Sequence, residues 1–250
     1  MNDEVVLKTE NLSKSFYEYQ VLTGVNYELK RGEMAAIIGP NGAGKSTFFN
    51  LITGYHVVSG GHVYFRGQDI TNWHCHRIAR TGITRAFQVS NIYAKLTTYE
   101  NVRQSVLAQK KKTLNFFTPA QRLARDETME LLQKTGLLSF SDTDAGILSQ
   151  GDKKKLELAL ALASKPVLLL LDEPTAGMSS EETHETMELV SRLNREEGLS
   201  ILFTEHDISV IFGYAQKLCV LHQGVLVAQG TPEEVRQNKE AQACYLGEEI

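Results

Sequence analysis

The residues Gly39, Pro40, Asn41, Gly42, Ala43, Gly44, Lys45, Ser46 and Thr47 carry the clearest chemistry in the chain. Gly39, Gly44, Lys45 and Ser46 stand where a Gly-x4-Gly-Lys-Ser/Thr phosphate loop requires them. Glycines let the backbone close around a bulky anion, so that successive N–H groups converge on its oxygens. Lys45 adds a point charge on the outer phosphates, and the Ser46 hydroxyl can ligate Mg²⁺. At ordinary glycine usage four such fixed positions coincide by chance in roughly one chain in a hundred. A nucleotide phosphate is therefore the expected ligand.

More chemical groups stand at the ends of apolar runs. Val167-Leu-Leu-Leu-Leu171 lies between Pro166 and the pair Asp172-Glu173. An unbroken apolar run between breakers predicts a parallel strand buried on both faces. Two carboxylates at its end are costly unless a cation or a water needs them. Beside a phosphate loop, the first of them, Asp172, is expected to hold Mg²⁺, directly or through water. Ser200-Ile-Leu-Phe-Thr204 predicts another strand, with Glu205-His206-Asp207 at the end where open α/β sheets place functional groups. His74-Cys75-His76 is not expected to bind metal, because adjacent helical residues point apart and no second ligand pair follows at zinc spacing.

These groups need elements to position them. Met34–Ile38 predicts the strand entering the phosphate loop, and Lys45 to Thr53 the helix leaving it. Val5 to Phe16, Val21 to Leu29 and Gly61 to Arg66 read as strands, and Gly82 to Phe87 as a short apolar piece. From Thr97 to about Ser164 the pattern turns helical. Thr97-Thr-Tyr-Glu100 and Thr118-Pro-Ala-Gln121 form capping boxes, and Gly136 closes the second helix. Gly151 to Ser164 predicts a further helix, and Ser179-Ser-Glu-Glu182 caps another that runs to about Glu197. Lys217 to His222 and Val225 to Ala228 flank Gln223-Gly224 as a hairpin, followed by a capped helix from Thr231. A helical block between strands implies a helical lobe on an α/β core.

Composition narrows the partners. The chain has 250 residues, a net charge of −4 and an ordinary apolar share of 42%. That length fits one large α/β domain or a core with an appended lobe. The acidic balance lacks the footprint of a nucleic-acid binder, and Lys110–Lys112 and Lys153–Lys155 read as solvated helix faces. No 18-residue apolar run is present, and the first residues show no secretory signal. Three scattered cysteines suit a reducing compartment.

With these pieces in place, the chain resembles the ATP-binding subunit of an ABC transporter over essentially its full length. Gly39–Thr47 resembles the Walker A loop of that family, Thr84-Arg-Ala-Phe-Gln88 its Q-loop, Leu148-Ser-Gln-Gly-Asp152 its signature loop and Leu168–Glu173 its Walker B strand. His206 falls at the switch histidine, and Phe16 where the family stacks an aromatic on adenine. Arg85-Ala-Phe-Gln88, Asp172-Glu-Pro-Thr-Ala-Gly-Met178, Glu205-His-Asp207, Gly230-Thr-Pro-Glu-Glu-Val235 and Tyr245-Leu-Gly-Glu248 are most similar to the ATPase subunits of branched-chain amino-acid importers.

The resemblance implies a P-loop NTPase core of mixed, largely parallel sheet at 1–88 and 165–250, with an antiparallel β subdomain and a helical subdomain at 89–164. It implies ATP and Mg²⁺ as cofactors, with Ser46, Gln88 and Asp172 at the metal. Glu173 would be the general base, and His206, Gln88 and Lys45 would share the catalysis. Ser149, Gln150 and Gly151 would contact ATP held by a second ATPase subunit, identical or different, in a head-to-tail dimer. Multi-span permease subunits, a solute-binding protein and a cytoplasmic position at the membrane's inner face are also implied. Gln150 and Asp152 depart from the usual Leu-Ser-Gly-Gly-Gln signature, and Ser179 stands where many relatives have Asp. These departures weaken the half-site lent to the partner and favour an asymmetric pair. Asp152 would repel a facing phosphate, an effect that Lys153–Lys155 offset. The competing function is a soluble ABC-type ATPase in DNA repair or translation. A poorly hydrolysing regulatory module is a third reading.

Overall fold

The computed structural model describes residues 4–86, 92–109 and 124–246. The chain opens with β1 (Val5–Phe16), β2 (Tyr19–Lys30), β3 (Met34–Ile38), α1 (Lys45–Ile52), β4 (Gly60–Phe65), β5 (Gln68–Asp69), α2 (Cys75–Ala79) and β6 (Ile83–Ala86). Helices α3 (Thr98–Gln109), α4 (Arg125–Lys134) and α5 (Gln150–Leu162) follow, with short 3₁₀ turns at Leu138–Phe140 and Ala145–Ile147. The rest comprises β7 (Leu168–Asp172), α6 (Ser180–Glu197), β8 (Ser200–Thr204), α7 (Ile208–Tyr214), β9 (Lys217–His222), β10 (Val225–Gly230), α8 (Pro232–Gln237) and α9 (Lys239–Ala241), ending in a π turn at Gln242–Leu246. The capping box expected at Thr118–Gln121 and the basic run at 110–112 lie outside the described residues.

Two compact units make up the chain. The first comprises residues 1–85, 167–173 and 190–250. It contains a six-stranded sheet of order β10-β9-β3-β8-β7-β6 and a four-stranded antiparallel sheet of order β2-β1-β4-β5. β3 pairs parallel with β8 and β9, and β7 parallel with β8, while β10 returns antiparallel on β9. β3 and β8 are buried at every position, which is why their sequences are unbroken apolar runs and not alternating ones. β1 and β2 instead bury one face, through Leu7, Leu12, Leu22, Val25, Tyr27 and Leu29. These join Phe48 and Phe49 of α1 and Ile37, Leu170, Leu202 and Cys219 of the parallel sheet in one core. Tyr27 meets Phe48 edge to face, with centroids 5.7 Å apart.

In the second unit, residues 86–166 and 174–189, α3, α4 and α5 pack on one another. α3 begins at the expected capping box: Thr97 N–H donates to Glu100 Oε2 at 2.9 Å, and Glu100 N–H to Thr97 Oγ1 at 3.1 Å. The helical unit is larger than the lobe expected at 89–164, because residues 174–189 group with it. Lys155 of α5 reaches Glu185 of α6 at 2.8 Å, and the Gly151 N–H donates to Glu182 at 3.3 Å. His74 and His76 also differ from expectation. His74 is the N-cap of α2, outside the helix proper, and its ring stacks on that of His76 at 5.8 Å instead of pointing away.

Cys219 on β9 is fully enclosed, and burial pushes its thiol up to about 12. It behaves as a small apolar side chain, since the thiolate is the reactive form. In a Cys75→Ser/Cys244→Ser variant at about pH 8, a thiol reagent is expected to react with Cys219 only once the protein unfolds. Labelling of the native variant at the rate of a free thiol would show that β9 is not held closed.

Candidate functional site

The phosphate loop follows directly from β3 and ends in α1. Gly39 has φ 153°, and a Cβ there would lie 2.0 Å from the Leu221 carbonyl oxygen. Gly44 has φ 107°, and a Cβ would meet Leu22 Cδ2 at 2.6 Å. Side chains are therefore excluded at both positions by backbone angle and by space. The loop is pinned from the β9–β10 hairpin, where the Gly224 N–H donates to the Ala43 carbonyl at 3.0 Å. The Lys45 amino group donates to the Gly39 and Pro40 carbonyls at 2.6 and 3.3 Å. Burial pulls the Lys45 ammonium below its usual value, and the Glu173 and Asp172 carboxylates pull it back up. Ser46 is the second residue of α1 and is exposed.

The carboxylates at the end of β7 have distinct partners. Asp172 Oδ2 takes a hydrogen bond from Arg85 Nη2 at 2.6 Å, and Oδ1 takes one from Thr204 Oγ1 at 2.8 Å. Arg85 in turn donates through Nη1 to Asn50 Oδ1 of α1 at 2.6 Å. Glu173 has φ 50°, in the left-handed region, which turns its side chain out of the strand direction. Its N–H donates to the Thr204 carbonyl at 3.1 Å and to the Thr204 hydroxyl at 3.2 Å. Glu173 Oε1 then stands 3.0 Å from His206 Nε2, with both side chains partly open to solvent. A carboxylate and an imidazole in hydrogen-bond contact at a strand end can hold and orient a water for attack.

Phe16 ends β1, with Lys14 Nζ 4.6 Å from its ring centroid and His56 edge-on at 5.1 Å. It is 37% exposed. Gln88, expected at both the metal and the catalytic centre, lies outside the described residues.

In the second unit, Ser149 is the N-cap of α5, accepting from the Asp152 N–H at 3.1 Å and donating to Asp152 Oδ2 at 2.9 Å. Gln150 is the first residue of that helix and is exposed. The Gly151 N–H is taken by Glu182 Oε1, whose other oxygen accepts from the Ser179 N–H and hydroxyl, both at 3.0 Å. Lys155 sits between Asp152 at 3.8 Å and Glu185 at 2.8 Å, so one of the three lysines expected to offset Asp152 does face it.

Arg85, Asn50, Thr204 and Glu182 were not singled out from the sequence as site residues. Arg85 lies inside a phrase quoted for its resemblance, and Thr204 is the polar end of an apolar strand. Both pair with Asp172 only through strand order and register.

The model of the ABC transporter family matches residues 22–176, well over half of the chain. The chain belongs to the ABC transporter family. A second model, that of the branched-chain amino acid ATP-binding cassette transporter, matches residues 225–250 of this ABC subunit. The chain is 34% identical to the high-affinity branched-chain amino acid transport ATP-binding protein BraF of Pseudomonas aeruginosa, over 97% of this chain and 98% of that one. It is similar to the ADP conformation of MJ1267, an ATP-binding cassette of an ABC transporter, at TM-score 0.87 and 31% identity over 97% and 99% of the two chains. It is also similar to the dimeric post-hydrolysis structure of MJ0796 bound to ADP and Pi, at TM-score 0.76 and 28% identity over 90% and 98%. The α/β fold and the ATPase class are those of the ABC cassettes; the similarity is to transport ATP-binding proteins and lends no support to a DNA-repair or translation function. No helix among the described residues is long and apolar enough to cross a membrane.

Glu182 offers a test of the second unit's geometry. Hydrogen bonds from Ser179, and then from Gly151, hold its carboxyl below the usual 4.5. A depressed carboxyl contributes stability that is complete above its unfolded value and is lost as pH falls through its folded one. The melting temperature of Glu182→Gln should therefore lie below that of the wild type above pH 4.5, and the gap should close on further acidification. A gap that is independent of pH would mean that the charge is not engaged.

Proposed function

We propose that this protein is the ATP-hydrolysing subunit of an ABC transporter that carries branched-chain amino acids or similar small polar solutes. The observation that carries the hydrolytic part is the contact of Glu173 with His206 at 3.0 Å, beside a phosphate loop that tolerates no side chain at Gly39 or Gly44. Resemblance to BraF and the match of residues 225–250 support the cargo class.

In this mechanism the N–H groups of Gly39 to Thr47 and the N-terminus of α1 bind the phosphates of ATP. Phe16 stacks on the adenine, and Lys45 leaves the Gly39 and Pro40 carbonyls for the outer phosphates. The Ser46 hydroxyl, Asp172 and Gln88 offer oxygen donors of the kind Mg²⁺ takes, too few for an all-protein cage and suited to a metal shared with phosphate. Bound there, the metal would offset charge on the phosphate oxygens. Glu173 accepts a proton from the attacking water as the oxygen bonds to the γ-phosphorus and the bond to ADP breaks. His206 holds Glu173 and the γ-phosphate in register.

A second ATPase subunit, identical or different, completes each site by lending its signature helix. Here Ser149, Gln150 and Gly151 would face the partner's ATP, and the phosphate would displace Glu182 from the Gly151 N–H. Hydrolysis reopens the dimer and drives permease subunits in the membrane, with a solute-binding protein delivering cargo. The chain would then sit on the cytoplasmic face of the membrane, held by the permease.

Glu173→Gln is expected to bind ATP with little change while turnover falls by about 10²–10⁴-fold. Light scattering with MgATP should show the variant trapped as a dimer, alone or only after a different ATPase subunit is added. Retained turnover in Glu173→Gln would remove Glu173 from the mechanism, and loss of ATP binding in the wild type would sink the reading as a whole.

A further inference from the structure

The parallel strand ends bring one cation to Asp172 that the hydrolytic mechanism does not use. Arg85 comes from β6, the neighbour of β7 in the sheet, and its side chain is only 7% exposed. One guanidinium nitrogen binds Asp172 Oδ2 at 2.6 Å and another binds Asn50 at 2.6 Å. Its face lies 5.5 Å from the Phe49 ring of α1. Such a guanidinium is a fixed positive charge, since its planar fork stays protonated in proteins. Asp172 has a second, uncharged tether of its own in the Thr204 hydroxyl at 2.8 Å.

We propose that Arg85 is a positioning residue that also acts as a resident counter-cation: it competes with the nucleotide's divalent metal for the Asp172 carboxylate and so keeps that metal exchangeable. This rests on the assignment of Asp172 to the metal made above. Two effects of Arg85 oppose each other. Its hydrogen bond orients the carboxylate and favours the metal, and its charge repels the metal. Thr204 decides between them. With Arg85 neutralised, Oδ1 is still fixed by the Thr204 hydroxyl, whereas no other hydrogen bond to Asp172 from the described residues comes from a cation, and Lys45, which acts on Asp172 through its field, is committed to the phosphates in the proposed mechanism. Electrostatic competition therefore outweighs lost orientation. The position of Arg85 adds a second consequence. It is tied to α1 through Asn50, so a shift of β6 against α1 would change how strongly the counter-cation holds Asp172.

The experiment measures Mn²⁺ binding to the ADP-loaded, full-length protein by the free-ion electron paramagnetic resonance signal, with metal-free ADP affinity and circular dichroism as controls. Arg85→Gln is expected to bind Mn²⁺ about tenfold more tightly, within the usual range for two ligands coupled through one group. Arg85→Lys, which keeps the charge, should stay near the wild type. Thr204→Val, which removes the neutral tether and keeps the charge, should bind Mn²⁺ more weakly. Its Glu173 N–H retains the Thr204 carbonyl as acceptor, so the turn is preserved. Equal or weaker Mn²⁺ binding in a folded, ADP-binding Arg85→Gln would overturn the proposal and leave Arg85 as a packing residue. Asp172→Asn separates the two ideas. If it binds Mn²⁺ as the wild type does, the metal assignment itself fails, whatever Arg85 does.

Discussion

The tightest constraint in the molecule is the approach of the phosphate loop to the β9–β10 hairpin. A side chain on Gly39 would run into the Leu221 carbonyl, and one on Gly224 would lie 2.2 Å from the Val21 carbonyl. Three segments distant in sequence thus meet backbone to backbone: the start of β2, the loop after β3 and the hairpin after β9. The Gly224 N–H that this closeness permits is given to Ala43, inside the loop. The loop's shape is accordingly a property of the whole first unit and not of its nine residues. This also explains why α1 needs Phe48 and Phe49 in the core. They anchor the helix whose first N–H groups must stay aimed at an anion.

The second dependence is register. Ile37 of β3 lies level with Thr204 of β8, and Thr204 level with Asp172 of β7. Parallel strands in register end together, so the phosphate loop, the two carboxylates and His206 emerge at one edge of the sheet, where such folds place their ligands. An ionised carboxylate at the edge of a buried sheet is costly unless it is paired. Here the pairing is layered: Arg85 supplies charge to Asp172, Thr204 supplies a hydroxyl, and the same hydroxyl accepts from the Glu173 N–H. One threonine therefore sets the aim of both acids, and the left-handed backbone at Glu173 sends the second of them to His206.

The elements were legible in the sequence because each rests on local physics. Met34–Ile38 and Ser200–Thr204 read as strands and are so, both buried throughout, and Thr231 caps its helix as expected, in a capping box with Glu234. The phosphate loop was legible because its chemistry is confined to consecutive residues. What stayed hidden depends on strand order. Nothing near Arg85 in sequence points to Asp172, 87 residues away, and Glu182 reads locally as the cap of α6 while it also reaches Gly151 on α5. The extent of the helical unit was hidden for the same reason. His74 was misjudged by treating a capping residue as a helical one, and the cap geometry is what lets its ring lie over His76.

The helix N-termini show how the fold tells an anion site from an ordinary helix start. Every helix leaves its first N–H groups without backbone partners. In α3, α6 and α8 a Glu three residues past the cap closes a capping box. In α5 the cap is Ser149, Asp152 stands in the first turn, and Glu182 arrives from α6 to take the Gly151 N–H. The α1 terminus differs from these, although the five-residue α2 also starts without a side-chain cap or an acid in its first turn. Gly44 is its N-cap, no side chain caps it, and its first turn carries no acid. A carboxylate there would satisfy the same N–H groups and repel a phosphate, so its exclusion from α1 is the complement of the exclusion of side chains from Gly39 and Gly44. The α5 terminus is intermediate, since the acceptor of its Gly151 N–H is a carboxylate lent by another helix, which in the proposed mechanism a phosphate displaces. In the proposed dimer, a capped end that ATP uncaps and an open end that needs a ligand would be the two halves of a composite phosphate site. Only the open half is complete within one chain.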